Sequence, residues 1–242
     1  IDTSKNDIEP VWEFIGLEDV RLFRWEKQLY ASGVRRDVKE NGEGRIELCK
    51  LDVTPDGVIE ATRDRVEVDP HTHLEKNWMP ILDMPFHFVR WCNPLEIIKV
   101  NPNNKSKQKA LKGELDIIDS EVVFKSNKPL DLPLGLRGSS QVIPFGDNGD
   151  RICVTHETHF FWHQNKKKDA QYYHRFIIWD KDWNIKKVSE QFKFMDAMIE
   201  FACGLVIKDN NFIITYGYQD NAAYALKMPI QLLDKLKWDI DE

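Results

Sequence analysis

Apolar and polar positions alternate in short runs along this chain, and turn-forming residues separate the runs. The runs are rich in β-branched and aromatic residues, which is typical of half-buried strands. They cover residues 20–23, 28–34, 45–51, 58–62, 121–125, 151–157, 172–180 and 212–218. Between them lie hairpin-closing clusters, namely Asn41-Gly42, Pro55-Asp56-Gly57, Asp147-Asn148-Gly149 and Asp209-Asn210-Asn211. The pattern therefore predicts an all-β chain of antiparallel strands joined by tight turns.

Two segments depart from this alternation. Residues 230–238 have apolar positions at helical spacing, which predicts a short C-terminal helical segment near 230–238. Residues 101–112 (NPNNKSKQKALK) are polar and basic, which predicts a solvated loop.

An all-β chain can close as a sandwich, a barrel or a propeller. Short polar motifs recur beside strand ends, at Glu18-Asp19, Lys76-Asn77, Arg137-Gly138, His156 and Asp220-Asn221. In a propeller the innermost strands surround one axis, so residues far apart in sequence would meet in a central funnel. The recurrence therefore favours a single β-propeller domain over residues 1–242.

Composition narrows the range of partners. The 242 residues are 42% hydrophobic and 31% charged, and the formal net charge is -6 with mixed signs, so a nucleic-acid partner is not expected. No apolar run approaches the roughly 20 residues that span a bilayer, and no signal peptide is recognisable, so we expect no membrane insertion. Four widely spaced cysteines without a CxxC pair suggest buried free thiols and a cytoplasmic location.

Five motifs, in order, carry a family resemblance. They occupy residues 16–21 (GLEDVR), 76–80 (KNWMP), 136–140 (LRGSS) with 154–156 (VTH), 199–205 (IEFACGL) and 213–220 (IITYGYQD). Together they resemble glycoside hydrolase family 130, the β-mannoside phosphorylases and hydrolases. Val20 stands where that family has proline, and Gln219 stands where a small residue is usual.

The resemblance implies a five-bladed propeller in which a blade precedes the Glu-Asp motif. Fifteen residues precede Gly16 here, so we expect one blade to be incomplete or missing in this chain. It also implies inverting phosphorolysis or hydrolysis of β-mannoside-like glycans, with Asp19 as the acid that protonates the leaving oxygen. No cofactor is expected, and inorganic phosphate is a possible co-substrate.

The other candidate residues divide by chemistry. A phosphate nucleophile needs a cationic pocket rather than a general base, and the candidates for it are Lys76, Arg137, His156 and His174. The predicted sugar contacts are Glu18, Arg21, Asn77, Trp78, Glu200, Tyr216, Asp220 and Asn221. A hydrolase would instead need a carboxylate to activate water, and Glu200 or Asp220 could serve. Trp91 and Trp162 are further candidates for stacking on a sugar ring.

Several alternatives stay open. The same site could serve a mannosyltransferase, or the chain could be a non-catalytic glycan-binding module fused to or associated with a glycosyltransferase domain. The partner in each case is an oligosaccharide or a sugar phosphate. A metal site at His156, His159 and His163 is disfavoured, because the stretch is strand-like and such ligands need a shared helical face.

Overall fold

A computed structural model describes residues 15–111, 113–129, 131–132, 135–164 and 168–241. The first strands are β1 (Leu17–Trp25), β2 (Gln28–Arg35), β3 (Arg45–Thr54), β4 (Gly57–Glu67), β5 (Met79–Pro80), β6 (His87–Cys92), β7 (Leu95–Lys109) and β8 (Glu114–Lys125). The later strands are β9 (Arg137–Gly138), β10 (Ile143–Phe145), β11 (Asp150–Trp162), β12 (Lys168–Trp179), β13 (Ile185–Ser189), β14 (Glu200–Lys208), β15 (Asn211–Tyr218), β16 (Ala222–Pro229) and β17 (Trp238–Asp241). This confirms the predicted all-β class.

The chain divides into two compact units. Unit 1 contains the described residues up to Arg90 together with Glu96–Lys125, and unit 2 contains residues 91–95 and the described residues from 126 onward. A single propeller domain over residues 1–242 stays a prediction.

Unit 1 is built on one sheet with strand order β1-β2-β3-β4-β8-β7-β6-β5. Strands β1 to β4 form an antiparallel meander, and β8 joins β4 in parallel. Along β1 burial alternates strictly from Val20 to Trp25, so that Phe23 and Trp25 enter the apolar core while Leu22 and Arg24 are exposed. That period of two is the physical basis of the sequence signal.

Unit 2 contains two sheets. One has the order β10-β11-β12-β13-β17, with β9 also paired to β11, and the other is the meander β14-β15-β16. The long β11–β12 hairpin places His156 directly opposite His174. Val154, Phe176, Ile178 and other apolar side chains on this hairpin are buried.

Each predicted run falls within a strand, in β1, β2, β3, β4, β8, β11, β12 and β15, with Asp180 one residue beyond β12. The predicted turns at Asn41-Gly42, 55–57, 147–149 and 209–211 also lie at chain reversals. Residues 230–238 contain a 3-10 helix at Ile230–Lys235, and Trp238 already begins β17.

The predicted loop at 101–112 is corrected. Residues 101–109 continue β7, whose outer half pairs with β8 from Lys105 opposite Ile118 to Lys109 opposite Glu114. Lys107 forms an ion pair across the strands with Asp116 at 2.5 Å. The segment looks like a loop in sequence because most of its side chains are exposed, which removes the apolar alternation that marks a strand.

Candidate functional site

A β-bulge in β1 carries the predicted Glu18-Asp19 motif. Glu18 pairs with Val34 and Arg21 with Ser32, so Asp19 and Val20 together stand opposite Gly33. Asp19 adopts a left-handed backbone with φ of 53°, a conformation that aspartate tolerates better than most residues. A bulge re-aims side chains that a regular strand would send to alternate faces.

Two residues support the bulge. Gly33 lies beneath it, and a Cβ at this position would come within 2.6 Å of the Glu18 carbonyl oxygen. Arg21 is 1% exposed, and its Nη1 donates a hydrogen bond of 2.8 Å to the carbonyl oxygen of Asp19. The structure therefore gives Arg21 a backbone-holding contact at the position where the sequence predicts a sugar contact.

Replacing Gly33 by alanine is expected to lower the free energy of unfolding by about 1–3 kcal/mol, because the new methyl group must displace backbone rather than a flexible side chain. Chemical denaturation measures this loss. Gly217→Ala is the matched control, since Gly217 also lies within a strand and a Cβ there would meet no atom within 4 Å, so its free energy of unfolding should stay nearly unchanged. An unchanged bulge and unchanged stability in Gly33→Ala would contradict the close packing.

Glu18 has an unusual electrostatic environment. Burial raises the pKa of its carboxyl above the ordinary value, the neighbouring Asp19 raises it further, and Arg36 and Lys76 act in the opposite direction. Its Oε1 atom is buried and has no hydrogen-bond partner among the described residues. The bulge thus places two carboxyls side by side, one of which holds its proton more tightly than usual.

Replacing Glu18 by glutamine is expected to raise the melting temperature at pH 7. A raised pKa means that the folded state favours the protonated acid, so the ionised form destabilises the fold above the folded pKa. This penalty disappears as the pH falls below the ordinary value of 4.5. The difference in melting temperature between variant and wild type should therefore shrink between pH 7 and pH 4. An exposed control, Glu40→Gln, should show no such trend.

The Lys76-Asn77 motif lies in the same unit and contributes to the field at Glu18 through Lys76, which is exposed. Asn77 is 3% exposed, has φ of 64°, and its Oδ1 is buried without a partner in the described part of the chain. A buried acceptor without a partner is costly, so it commonly marks a place for water or a ligand hydroxyl.

The predicted role of Trp78 in sugar binding is corrected. It is 1% exposed, belongs to the unit 1 core, and its indole N–H donates to Glu75 at 3.2 Å. An indole enclosed in this way has no free face for a sugar ring, so the predicted stacking role is withdrawn.

In unit 2 the structure brings Arg137 and His156 together. They are direct partners in the β9–β11 ladder. His156 is 3% exposed, and its Nδ1 lies 2.8 Å from the hydroxyl of Ser139. The guanidinium of Arg137 lies over the ring of Trp91, 4.8 Å from its centroid. Trp91 therefore supports a cation, where the sequence suggests sugar stacking.

The predicted role of His174 in phosphate binding is also corrected. It is fully buried, with its ring 4.4 Å from that of Phe194, and neither ring nitrogen has a hydrogen bond of normal geometry within the described residues. Burial lowers its pKa to about 3, against a weaker opposite effect of the Glu200 backbone. The side chain is neutral at physiological pH, so it is unsuited to bind phosphate as a cation.

Glu200 is fully buried, and its carboxylate accepts three backbone hydrogen bonds. The donors are the N–H groups of Phe194 at 2.7 Å, Met195 at 3.0 Å and Ala197 at 2.9 Å. This residue therefore fixes the segment that precedes β14. The sequence did not predict this role, because a glutamate that binds backbone N–H groups and a catalytic glutamate cannot be told apart by residue type or by neighbouring residues.

The ring of Tyr216 stacks on Phe194 at 4.6 Å and is 5% exposed. Burial raises the pKa of its phenol, and Glu200 adds to that effect. The ring lacks an open face, so the predicted sugar stacking at Tyr216 is corrected as well.

Three further predicted residues are accessible. Asp220 and Asn221 lie in the exposed turn between β15 and β16, where Asp220 has φ of 51°. Trp162 is 68% exposed at the end of β11. Within the described ranges no group of three or more His, Cys, Asp and Glu is placed to hold a metal ion. Within the same ranges no helix is long and apolar enough to cross a membrane.

Comparison with known proteins shows the fold. No family model matches the chain, and no curated protein does. The chain is similar to β-1,2-mannobiose phosphorylase from Listeria innocua in complex with β-1,2-mannobiose, with a TM-score of 0.53 and 11% identity over 91% of this chain and 60% of that one. The chain thus spans less than two thirds of the Listeria protein. This likeness confirms an all-β fold of the propeller type; the number of blades stays a prediction.

Two further solved structures have lower TM-scores. One is a GDP-Man-dependent mannosyltransferase from Leishmania mexicana, with a TM-score of 0.48 and 14% identity over 93% of this chain and 73% of that one. The other is a mannose phosphorylase from Leishmania mexicana in complex with phosphate ion, with a TM-score of 0.42 and 11% identity over 93% and 89% of the two chains.

Proposed function

We propose that this protein is an enzyme that cleaves β-mannoside-like glycans with inversion, by phosphorolysis or hydrolysis, at the bulge of β1. The observation that carries the proposal is two buried acceptors without partners in the described residues: Glu18 Oε1, from the residue next to Asp19, and Asn77 Oδ1, from the residue next to Lys76, whose charge acts on Glu18. Sugar hydroxyls are donors of the kind that such acceptors require.

The carboxyl pair supplies the acid. Cleavage of a glycosidic bond requires a proton at the leaving oxygen and a nucleophile on the opposite face of the sugar ring. In our proposal Asp19 delivers the proton, and Glu18 is the neighbouring group whose raised pKa limits charge repulsion within the pair. The bulge, held by Gly33 and Arg21, fixes the direction of both side chains.

The nucleophile distinguishes the two reactions. Phosphate needs cations, and our candidate in unit 1 is the exposed Lys76, whose charge acts on Glu18. Arg137, His156, Asp220 and Asn221 lie in unit 2, and their predicted contacts with phosphate and sugar stay predictions. Glu200 becomes a positioning residue, because both of its carboxylate oxygens already accept backbone N–H groups.

The sugar class rests on two supports. The five ordered motifs resemble glycoside hydrolase family 130, and the Listeria structure that shares the fold is a β-1,2-mannobiose phosphorylase. We therefore propose a divergent member of that family, with no cofactor and with phosphate as the co-substrate in phosphorolysis.

Product analysis with β-1,2-mannobiose tests the proposal. The protein is incubated with the disaccharide in the presence and absence of phosphate, and the products are separated by anion-exchange chromatography. Mannose 1-phosphate formed only with phosphate identifies a phosphorylase, and free mannose in both conditions identifies a hydrolase. Mannosyl transfer from GDP-mannose without cleavage would favour the transferase, and binding without any turnover would favour the glycan-binding module.

A further inference from the structure

A second, larger bulge shapes a cavity elsewhere in unit 1. The β7–β8 register jumps from Val100 opposite Ser120 to Lys105 opposite Ile118. The four residues between them on β7 (Asn-Pro-Asn-Asn, 101–104) therefore stand opposite Asp119 alone. An insertion of this size in a strand directs side chains away from the regular ladder.

The bulge has a defined shape. Asn101 Oδ1 accepts the backbone N–H of Asn103 at 3.2 Å, and Asn104 Nδ2 donates to Asp119 Oδ2 at 2.8 Å. The side-chain amide of Asn103 makes no hydrogen bond to any described residue. One amide is thus available for a ligand while its neighbours hold the backbone in place.

The cavity has a volume of about 450 Å³, within the range of small-molecule sites. Its walls are the bulge amides and the β8 residues Asp119 and Glu121, and Phe86 also lines it. The Phe86 ring packs against Trp25 at 5.2 Å, and its carbonyl oxygen accepts the N–H of Val100 at 2.8 Å. Phe86 therefore provides a rigid apolar surface beside a polar rim.

The chemistry of this lining selects a ligand class. One cation, Lys99, faces two anions, Asp119 and Glu121, so an anion such as phosphate is disfavoured. A divalent cation is disfavoured as well, because the described residues contain no group of three acidic, His or Cys side chains placed to hold a metal. Amides and carboxylates beside one aromatic ring suit a neutral molecule with several hydroxyls and an apolar C–H face.

We propose that this cavity, here called the bulge pocket, is a second carbohydrate-binding site that takes a neutral sugar residue of a glycan. It is separate from the carboxyl pair of β1, so it does not depend on catalysis there. A glycan chain bound in the bulge pocket would keep the substrate near the protein between turnovers.

Nuclear magnetic resonance titration tests the bulge pocket. β-1,2-Mannobiose is added to isotope-labelled protein, and the amide signals of residues 99–104 and 119–121 are expected to shift saturably. Asn103→Ala should weaken this binding about 3- to 10-fold, the effect of losing one hydrogen bond. Lys107→Ala is the matched control, since Lys107 is an exposed residue of the same strand that does not line the cavity, and it should change the affinity less than about 2-fold.

Other outcomes overturn the inference. Unshifted signals at 99–104 and 119–121 with the sugar present would overturn it, and so would shifts there with calcium ions but not with sugar. Shifts confined to residues 16–20 and 76–77 would remove the bulge pocket while leaving the proposed function intact. Conversely, Asp19→Asn should lower turnover about 10²- to 10⁴-fold without altering the signals of the bulge pocket, so the two proposals can fail separately.

Discussion

Replacing Asp19 by asparagine is expected to lower turnover of a β-mannoside by about 10²- to 10⁴-fold and to leave sugar binding nearly unchanged. The amide keeps the shape and hydrogen-bonding reach of the carboxyl, but it cannot deliver a proton to the leaving oxygen. Steady-state kinetics give the turnover, and calorimetric titration of the inactive variant gives the affinity for the disaccharide.

Two further variants test whether Asp19 itself supplies the proton. Asp56→Asn, in the exposed β3–β4 turn, should leave turnover unchanged. If Asp19 belonged only to a surface ion-pair cluster, its loss would change stability by about 0–1 kcal/mol and leave turnover unchanged. Glu18→Gln assigns the proton within the carboxyl pair. A greater loss in Glu18→Gln than in Asp19→Asn would move the acid role to Glu18.

His174 is expected to make the fold sensitive to acid. Because burial lowers its pKa from 6.5 to about 3, the folded state favours the neutral imidazole. The resulting stability is present above pH 6.5 and is lost as the pH falls through that value toward 3, by roughly 4–5 kcal/mol in total. Denaturant unfolding at several pH values measures the loss.

The matched variant for this effect is His174→Leu, which removes the titrating group from its aromatic surroundings. Its free energy of unfolding should fall less steeply between pH 6.5 and pH 4 than that of the wild type, whatever its stability at pH 7. His73→Leu, at an exposed position, should retain the slope of the wild type. Equal slopes for His174→Leu and the wild type would show that His174 has the same pKa in the folded and unfolded states, which would contradict a buried neutral imidazole.

The sequence predicted the strands well because most of them are half buried, and half burial gives alternation. In β1 the exposed Leu22 and Arg24 separate the buried Phe23 and Trp25, so the period of two is legible. The strand prediction failed at residues 101–109, because most side chains of that part of the strand are exposed and the alternation disappears. The hairpin turns were predictable because asparagine, aspartate and glycine tolerate left-handed backbone.

Predictions of the site were less complete. The Glu18-Asp19 motif was recognisable, but the bulge depends on Gly33, a residue on the next strand whose importance is visible only in the register. Burial was not predictable from the motifs, since Trp78, Tyr216, His174 and Glu200 all prove to be enclosed. A motif records residue types, whereas accessibility depends on how neighbouring segments pack against them.

Buried charge was also missed. Glu47 is 1% exposed and lies 3.6 Å from a guanidinium nitrogen of Arg65 and 3.8 Å from one of Arg35. In sequence these residues read as the solvated positions of β2, β3 and β4, because charge usually marks exposure. The charges of these side chains offset one another only when the three strands pair in register. No local sequence pattern shows that pairing.

In the proposed reaction the carboxyl pair of the β1 bulge cleaves β-mannosides with inversion. Time-resolved proton nuclear magnetic resonance of the methyl glycoside of β-1,2-mannobiose with the wild-type protein follows this reaction, because the blocked reducing end leaves the released mannosyl unit as the only product whose anomeric configuration is set by the cleavage. With inversion, this product has the α configuration, as α-mannose 1-phosphate with phosphate or as α-mannose with water. A product that is first formed in the β configuration, or a disaccharide that stays unchanged with and without phosphate, would contradict it.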